Sequence, residues 1–270
     1  MLPVSKEQFA RAAHDVHVLW DEAQTNPALL RFLAPFSRPD LGRLARLFLS
    51  ASSVEDIVTE AHPANATWLA TLLARELREV PPMKVRALEQ PRWDTRLLMP
   101  GMHFTEPVLL SSELSDAHTG DTSGRSQLRS LIIAGSMRAP SVVVRASCLV
   151  VAGDLDTQVL VADGCVLVGG TVRADVVVNP STRIGGSERG RAVGWQVGHS
   201  VVCRVFDSPR FALTCPVKAD VVLRAVGQPA TPDGIERAAA LLEPGLLAPP
   251  SVAVSALLER VRRGQSLLRG

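Results

Sequence analysis

The sequence contains no tyrosine, and only 4% of its 270 residues are aromatic. Its cores are therefore expected to be aliphatic, and surfaces that bind through tyrosine are excluded. There are four cysteines, so disulfides need not hold the fold together, which favours a reducing, cytoplasmic setting. Hydrophobic residues make up 46% of the chain, enough for a sizeable core.

Long apolar runs and a strong net charge are also missing. No stretch of about 18 apolar residues occurs, so no membrane insertion is expected. The first six residues lack the basic and apolar regions of a secretory signal. The formal net charge is +2, which argues against a general nucleic-acid binder, since such domains usually carry a strong basic stripe.

One short phrase occurs three times between residues 131 and 178. It reads LIIAGSM at 131–137, LVVAGDL at 149–155 and VLVGGTV at 166–172. Each copy is followed by an apolar run, at 142–144, 159–161 and 176–178. The text VRADVVV at 172–178 returns as VKADVVL at 217–223. A fixed period of this size predicts a stacked repeat.

The repeat predicts a β-solenoid that extends to about residue 225. Its runs are rich in β-branched residues, which favour strands, and they leave no room for the crossover helices of a doubly wound sheet. One copy cannot bury its apolar side alone, whereas stacked copies cover one another. We expect Gly135, Gly153 and Gly170 to turn the chain at positive φ. A β-sandwich of short strands is the alternative.

Residues 1–82 are predicted to form a separate helical domain, a bundle of four or five helices. Apolar residues recur there at helical spacing, and Pro81-Pro82 breaks the pattern and marks the domain boundary. The helix starts are predicted from a capping box at Ser5 and Gln8, a proline after a cap at Asn26-Pro27, and from Asp40, Ser53 and Thr67.

Residues 83–270 are predicted to form the solenoid domain. Residues 83–106 are interpreted as a lead-in that covers one open end, because exposed strand edges invite aggregation. Residues 107–110 are the candidate first coil, and residues 226–270 a helical cap at the other end. The predicted fold class is α+β: an N-terminal all-α helical bundle followed by a β-solenoid (β-helix) with a helical C-terminal cap.

The repeats at 152–155 and 169–175, together with the closing segment at 264–269, resemble bacterial β-solenoid proteins described as polymer-forming cytoskeletal proteins, and more distantly the bactofilins. The resemblance covers about residues 107–270. It implies a scaffold with no catalytic residues to carry over. Two features depart from bactofilins: the helical N-terminus, and a Gly/Arg-rich insertion at 180–199. Some members of the group sit beside contact-dependent toxins, which implies an immunity or accessory role as an alternative.

The sequence contains no recognisable grouping of catalytic residues. A solenoid acyltransferase remains a second alternative, with His118 and His199 available as bases, but aliphatic residues do not recur at every sixth position. Asp154 is expected beside Ser136 and Thr171 of neighbouring copies, so it forms no carboxylate ladder.

Two cysteines occupy equivalent positions in successive copies of the repeat. Cys148 and Cys165 are therefore predicted to be stacked buried thiols, since zinc would require closer cysteine spacing or a nearby histidine. No metal and no cofactor is expected.

The predicted function is therefore a non-enzymatic, cytoplasmic, bacterial interaction protein that serves as a scaffold. Its partner is expected to be a protein, either a toxin, an effector or a second copy of the chain, and not a nucleic acid. The candidate interaction residues are Arg183, Arg189 and Arg191 with Trp195, because arginine and tryptophan are favoured at interface hot spots.

Overall fold

The structure is a computed structural model that describes residues 4–34, 39–51, 63–86, 97–111, 130–145, 147–180, 195–209 and 213–269. These residues form a mixed α/β fold with one large, curled sheet of 11 strands. Every pairing in that sheet is parallel. Six helices and one short antiparallel pair of strands complete the described part of the chain.

The helices are α1 (Lys6–Thr25), α2 (Pro27–Leu33), α3 (Leu41–Ser50), α4 (Pro63–Glu76), α5 (Pro232–Leu241) and α6 (Val254–Arg262). The strands of the sheet are β1 (Met83–Val85), β2 (Leu97–Phe104), β3 (Val108–Ser111), β4 (Ser130–Arg145), β5 (Cys148–Val151), β6 (Leu155–Ala162), β7 (Cys165–Val168), β8 (Val172–Val178), β9 (Trp195–Val197), β10 (Val201–Asp207) and β11 (Val217–Arg224). The short pair is β12 (Leu247–Ala248) and β13 (Ser251–Val252).

The helix starts predicted at Ser5, Asn26 and Asp40 are confirmed. The Gln8 backbone N–H donates to the Ser5 hydroxyl and the Ser5 N–H donates to the Gln8 side chain, which completes the capping box. Asn26 and Asp40 cap α2 and α3 through their side-chain oxygens. The helix predicted from Ser53 begins outside the described residues, and α4 begins earlier than predicted.

Strands from successive copies of the repeat pair in register. Val172 and Val217 both pair with Val201, so the two related heptapeptides occupy equivalent places on either side of β10. No helix lies between strands among the described residues of 83–224. The prediction that crossover helices are absent is confirmed for that part of the chain.

The long strand β4 shows how the sheet curls. Its residues 131–134, 137–139 and 142–144 pair with three different sets of strands, so the sheet has three outer faces. We call them the helix face, the groove face and the tail face. The helix face contains residues 131–134 with 97–100 of β2 and with β5, β7 and β9. The groove face contains 137–139 with 102–104 of β2, β1 and the first halves of β6, β8, β10 and β11. The tail face contains 142–144 with β3 and the second halves of β6, β8, β10 and β11. Inward-pointing aliphatic side chains of all three fill one core.

The N-terminal helices cover the helix face. Ile132, Val150 and Leu167 point outward from the sheet into the same hydrophobic cluster as Phe9 and Trp68 of the helices. Helix α4 packs on β4 and β5, and α2 packs on β9. The predicted separate helical bundle is therefore not confirmed, because these helices bury their apolar sides against the sheet as well as against one another.

The C-terminal segment covers the tail face. Val143, Val161 and Val178 share a cluster with Leu257 of α6 and Ala238 of α5. The segment was predicted to close the end of the coil, and instead its helices lie along the side of the sheet, where α6 contacts β4 and β6 and α5 contacts β11. The reason is that the valines of this face alternate inward and outward, which leaves a second apolar surface to bury.

The predicted lead-in, residues 83–106, also differs from expectation. Its described residues form β1 and β2, which pair in parallel like the other strands of the sheet, with a register shift between Pro100 and Met102. The scattered charges of this stretch do not exclude strands, because charged side chains can point outward from the groove face. The inward residues of β2, Met102 and Phe104, are both 1% exposed.

Gly153 and Gly170 lie in bends between strands, as predicted, whereas Gly135 lies within β4, and none of the three has the predicted positive φ. Among the described residues, positive φ occurs only at Gly227, Gly245 and Gly264. A Cβ on Gly153 would lie 2.9 Å from the Ser136 backbone nitrogen, and one on Gly170 would lie 2.9 Å from the Gly153 carbonyl oxygen. Glycine is required there because stacked turns approach backbone to backbone, not because of φ.

Candidate interaction face

The groove face differs from the other two faces because no described helix covers it. Its side chains line a groove of about 1090 Å³ that runs across seven strands, from β1 to β11. The groove walls are formed by polar and charged side chains on the outer surface of the strands, and its floor by small residues such as Ala139 and Cys203.

One row of side chains follows the middle of this face, with one residue from each strand. Its members pair successively across the sheet, and the four cations among them are all exposed. In spatial order from β1 to β11 the row is Lys84, His103, Arg138, Asp156, Arg173, Val202 and Lys218.

The cations of the row have different surroundings. Arg173 lies 2.8 Å from a carboxylate oxygen of Asp154 and 3.3 Å from one of Asp156. Lys84, Arg138 and Lys218 form no ion pair with any other residue that the structure describes. Arg173 is therefore held in position by two carboxylates, whereas the other three cations are exposed and have no such partner among the described residues.

Asp154 occupies the corner between the helix face and the groove face. Its backbone N–H donates to the Ser136 hydroxyl at 3.1 Å, and its carboxylate accepts the Thr171 N–H at 2.7 Å. Burial by itself raises the Asp154 pKa, but the bonds from Thr171 and Arg173 outweigh it, and the pKa is lowered. The predicted contacts of Asp154 with both neighbouring copies are confirmed, and this carboxylate is used to bind one turn to the next.

A second row on the groove face contains Asp175, Arg204 and Asp220. Arg204 forms an ion pair with Asp220 that is about half exposed. Burial raises the Asp175 pKa, and the nearby Arg204 offsets this only in part. The face therefore carries both signs of charge, with the cations concentrated in the middle row.

The cysteines are all free and buried. Cys148 pairs in register with Cys165 and both side chains are at most 4% exposed, which confirms the predicted stacked thiols. The hydrogen bond to Cys148, with burial, raises the pKa of the Cys165 thiol. Cys203 lies at the groove floor, and burial raises its pKa to about 12, so it is a protonated, weakly nucleophilic thiol at neutral pH.

Of the interaction residues predicted from sequence, the structure describes Trp195, which does not line the groove face. Arg183, Arg189 and Arg191 lie outside the described residues, as does His118. Trp195 is 1% exposed and packs in the inner core, so its ring lies inside the protein, not at the surface where an interaction hot spot would be. Burial of this large ring follows from its register opposite Val166, an inward residue of the repeat.

The apolar phrase of the repeat does not indicate the groove face, because that phrase reports only the buried side chains of the strands. A signal was present: a basic residue follows an apolar one at Met83-Lys84, Met137-Arg138, Val172-Arg173 and Val217-Lys218. Arg138 and Arg173 are exposed and directly follow the buried residues Met137 and Val172, because neighbouring strand residues point to opposite sides. Lys84 and Lys218 are also exposed, but Met83 before the first is itself 47% exposed and Val217 before the second is half-buried.

Within the described residues, no three His, Cys, Asp or Glu side chains converge as a metal site would require. None of the helices there combines the length and hydropathy needed to cross a membrane. No protein-family model, curated protein or solved structure matches the chain. The resemblance to polymer-forming cytoskeletal proteins therefore stays a prediction.

Proposed function

We propose that the chain is a non-enzymatic β-solenoid scaffold that binds a protein partner along the groove face. The observation that carries the proposal is that the three outer faces differ in polarity and in whether helices cover them. Two are apolar and covered by the chain's own helices, while the third is polar, charged and uncovered by any described helix. Within the described residues, no helix packs on the groove face as helices pack on the other two faces.

The pairing pattern supports the solenoid interpretation of the curled sheet. Copies of the repeat spaced by 17 or 18 residues stack strand on strand, and the same residue of each copy meets its counterpart in the next. Such a rod fixes the spacing of side chains along its length, because each strand lies about 4.8 Å from the next. That rigidity is what a scaffold contributes to binding.

The chemistry of the face favours a protein partner. Its exposed groups are cations interspersed with carboxylates, and complementary charges of this kind give specificity in protein–protein recognition. Among the described residues that line the groove, Phe104 is 1% exposed and His103 is half-buried. The described lining therefore offers at most one partly exposed ring, whereas single-stranded nucleic acid stacks its bases on a series of aromatic side chains.

Site-specific photocrosslinking tests the proposal. A photoreactive residue replaces Val202, which is uncharged, 39% exposed and in the middle row, and in a control protein it replaces Val18 of α1, which is 44% exposed. We expect a protein adduct in cells of the source organism from position 202 and not from position 18. Mass spectrometry identifies the partner, and an adduct of twice the chain's mass identifies a second copy.

The identified partner is then purified and its affinity measured for the wild-type chain and for Arg138→Glu. We expect binding to weaken at least about tenfold, since the reversed charge repels an acidic contact. Equal adducts at both positions, no adduct at position 202, or unchanged affinity of the variant would each refute binding at the groove face.

A further inference from the structure

The cations of the middle row recur on every second strand. Lys84 is on β1, Arg138 on β4, Arg173 on β8 and Lys218 on β11, and one strand separates each from the next. The residues between them are His103, Asp156 and Val202, so no two cations of the row are adjacent. This regularity spans the whole described width of the face.

The interval between the cations follows from sheet geometry. Neighbouring strands are about 4.8 Å apart, so cations on alternate strands are about 9.6 Å apart along the stacking direction. Four cations at this interval span about 29 Å. A linear ligand that meets all four must present anionic groups at the same interval on one side.

Only one regular peptide conformation fits this interval closely. A polyproline II helix rises about 3.1 Å per residue with three residues per turn, so every third residue faces the same side at about 9.3 Å. A β-strand presents same-side residues at about 6.6 Å. An α-helix places every seventh residue at about 10.5 Å on the same side. Over three intervals its length therefore exceeds the span of the four cations by about 3 Å.

We propose that the groove face binds an acidic segment of a protein partner in the polyproline II conformation, with an acidic side chain at every third residue and its axis along the stacking direction. This inference rests on the proposed function and specifies the partner. Three of the four cations, Lys84, Arg138 and Lys218, pair with no other described residue, and Arg173 is held by ion pairs with Asp154 and Asp156 and remains 51% exposed.

The remaining residues of the row suit the other positions of such a segment. Val202 provides an apolar contact between Arg173 and Lys218, where a proline or aliphatic side chain of the ligand would lie. Asp156 sits between two cations and repels an acidic residue placed one strand out of register. The row therefore selects for spacing as well as for charge.

Fluorescence anisotropy with labelled peptides tests the inference on the full chain. The first peptide is ten residues long and rich in proline, with glutamate at every third position. The second has the same composition with glutamate at every second position, and the third carries lysine in place of each glutamate. We expect the first to bind at least about threefold more tightly than the second, the third not to bind, and affinity to fall as ionic strength rises.

The three lysines of the chain allow a matched set of variants. Lys84→Gln and Lys218→Gln each remove one cation from an end of the row, and Lys6→Gln removes the same charge from the exposed start of α1. We expect the first two to weaken binding of the first peptide about two- to fivefold, the usual worth of an exposed ion pair. Lys6→Gln should leave it unchanged.

The outcomes separate this inference from the proposed function. Equal binding of the two acidic peptides, or equal losses in all three lysine variants, would overturn the matched spacing. Failure of every acidic peptide, or tighter binding of a single-stranded oligonucleotide that depends on Lys84 and Lys218, would overturn the acidic polyproline partner. In each case the crosslinking result at Val202 still decides independently whether a protein binds this face.

Discussion

Asp207 offers the sharpest test of how the C-terminal segment is attached to the sheet. Its carboxylate, at the end of β10, is 0% exposed and accepts two hydrogen bonds from Arg224 of β11, at 2.6 and 2.8 Å. It also accepts the Val252 N–H at 3.3 Å. One buried side chain therefore ties together two strands and the segment that leads into α6.

Replacing Asp207 with alanine leaves a guanidinium that is only 12% exposed without its partner. Breaking a buried ion pair from one side costs about 3–5 kcal/mol, a large share of the roughly 5–15 kcal/mol that stabilises a typical domain. At about 2–4 °C per kcal/mol, we expect the melting temperature to fall by about 6–20 °C. Circular dichroism during thermal and urea unfolding measures both quantities.

The same two strands supply a matched control. Arg204 of β10 and Asp220 of β11 form an ion pair of the same chemistry whose side chains are 47% and 51% exposed. Asp220→Ala should cost less than about 1 kcal/mol, because solvent screens the pair. Equal losses for Asp207→Ala and Asp220→Ala would refute the argument that burial sets the cost. The double variant Asp207→Leu with Arg224→Met should recover most of the loss.

Three further predictions concern turns, thiols and carboxylates. Gly198→Ala places a Cβ 2.1 Å from the Gly169 carbonyl oxygen, so urea unfolding should show a loss of at least about 1–3 kcal/mol, while Gly42→Ala, with its nearest contact at 3.5 Å, should be neutral or slightly stabilising. The buried thiols, including Cys203 with its pKa of about 12, should react with a thiol reagent only after unfolding, and fast labelling of the native chain would contradict their burial. The pKa of Asp154 is lowered, so its stabilisation is present above the ordinary carboxyl pKa of about 4 and lost as pH falls through the lowered value. The Asp175 pKa is raised by burial, so stability falls as pH rises through the window between the ordinary and raised values. At neutral pH, Asp154→Asn should therefore lower the free energy of unfolding and Asp175→Asn should raise it, and both differences should diminish in acid. Changes of the same sign in the two variants would refute these pKa assignments.

Much of the strand architecture could be predicted because inward residues obey one strict rule. Every copy of the repeat must place aliphatic side chains in the shared core, so rows such as Leu155, Val172 and Val201 are visible as repeated text. The same rule predicted that Cys148 and Cys165 would stack. Outward residues of the groove face need not be apolar, so its charged row is marked in the sequence only by a basic residue after an apolar one in some copies, a weaker signal than the repeated apolar text.

The placement of the helices could not be predicted from their own periodicity. An amphipathic helix shows that it has an apolar side but not which surface that side meets. The deciding information lies in the outward residues of the strands, such as Ile132 on the helix face and Val161 on the tail face. Valine runs with no polar alternation indicate strands buried on both sides, and that pattern was available in the sequence.

The junction at Pro81-Pro82 joins two segments that both contribute to one hydrophobic cluster. Expressed alone, residues 1–82 would expose Phe9, Trp68 and their neighbours, and the strand segment would expose Ile132 and Val150. Cutting the backbone at these exposed prolines would instead leave fragments that hold together without a covalent link. The two fragments on either side of Pro81-Pro82 should therefore associate by fragment complementation. The helical fragment would then be purified in a complex with the strand fragment.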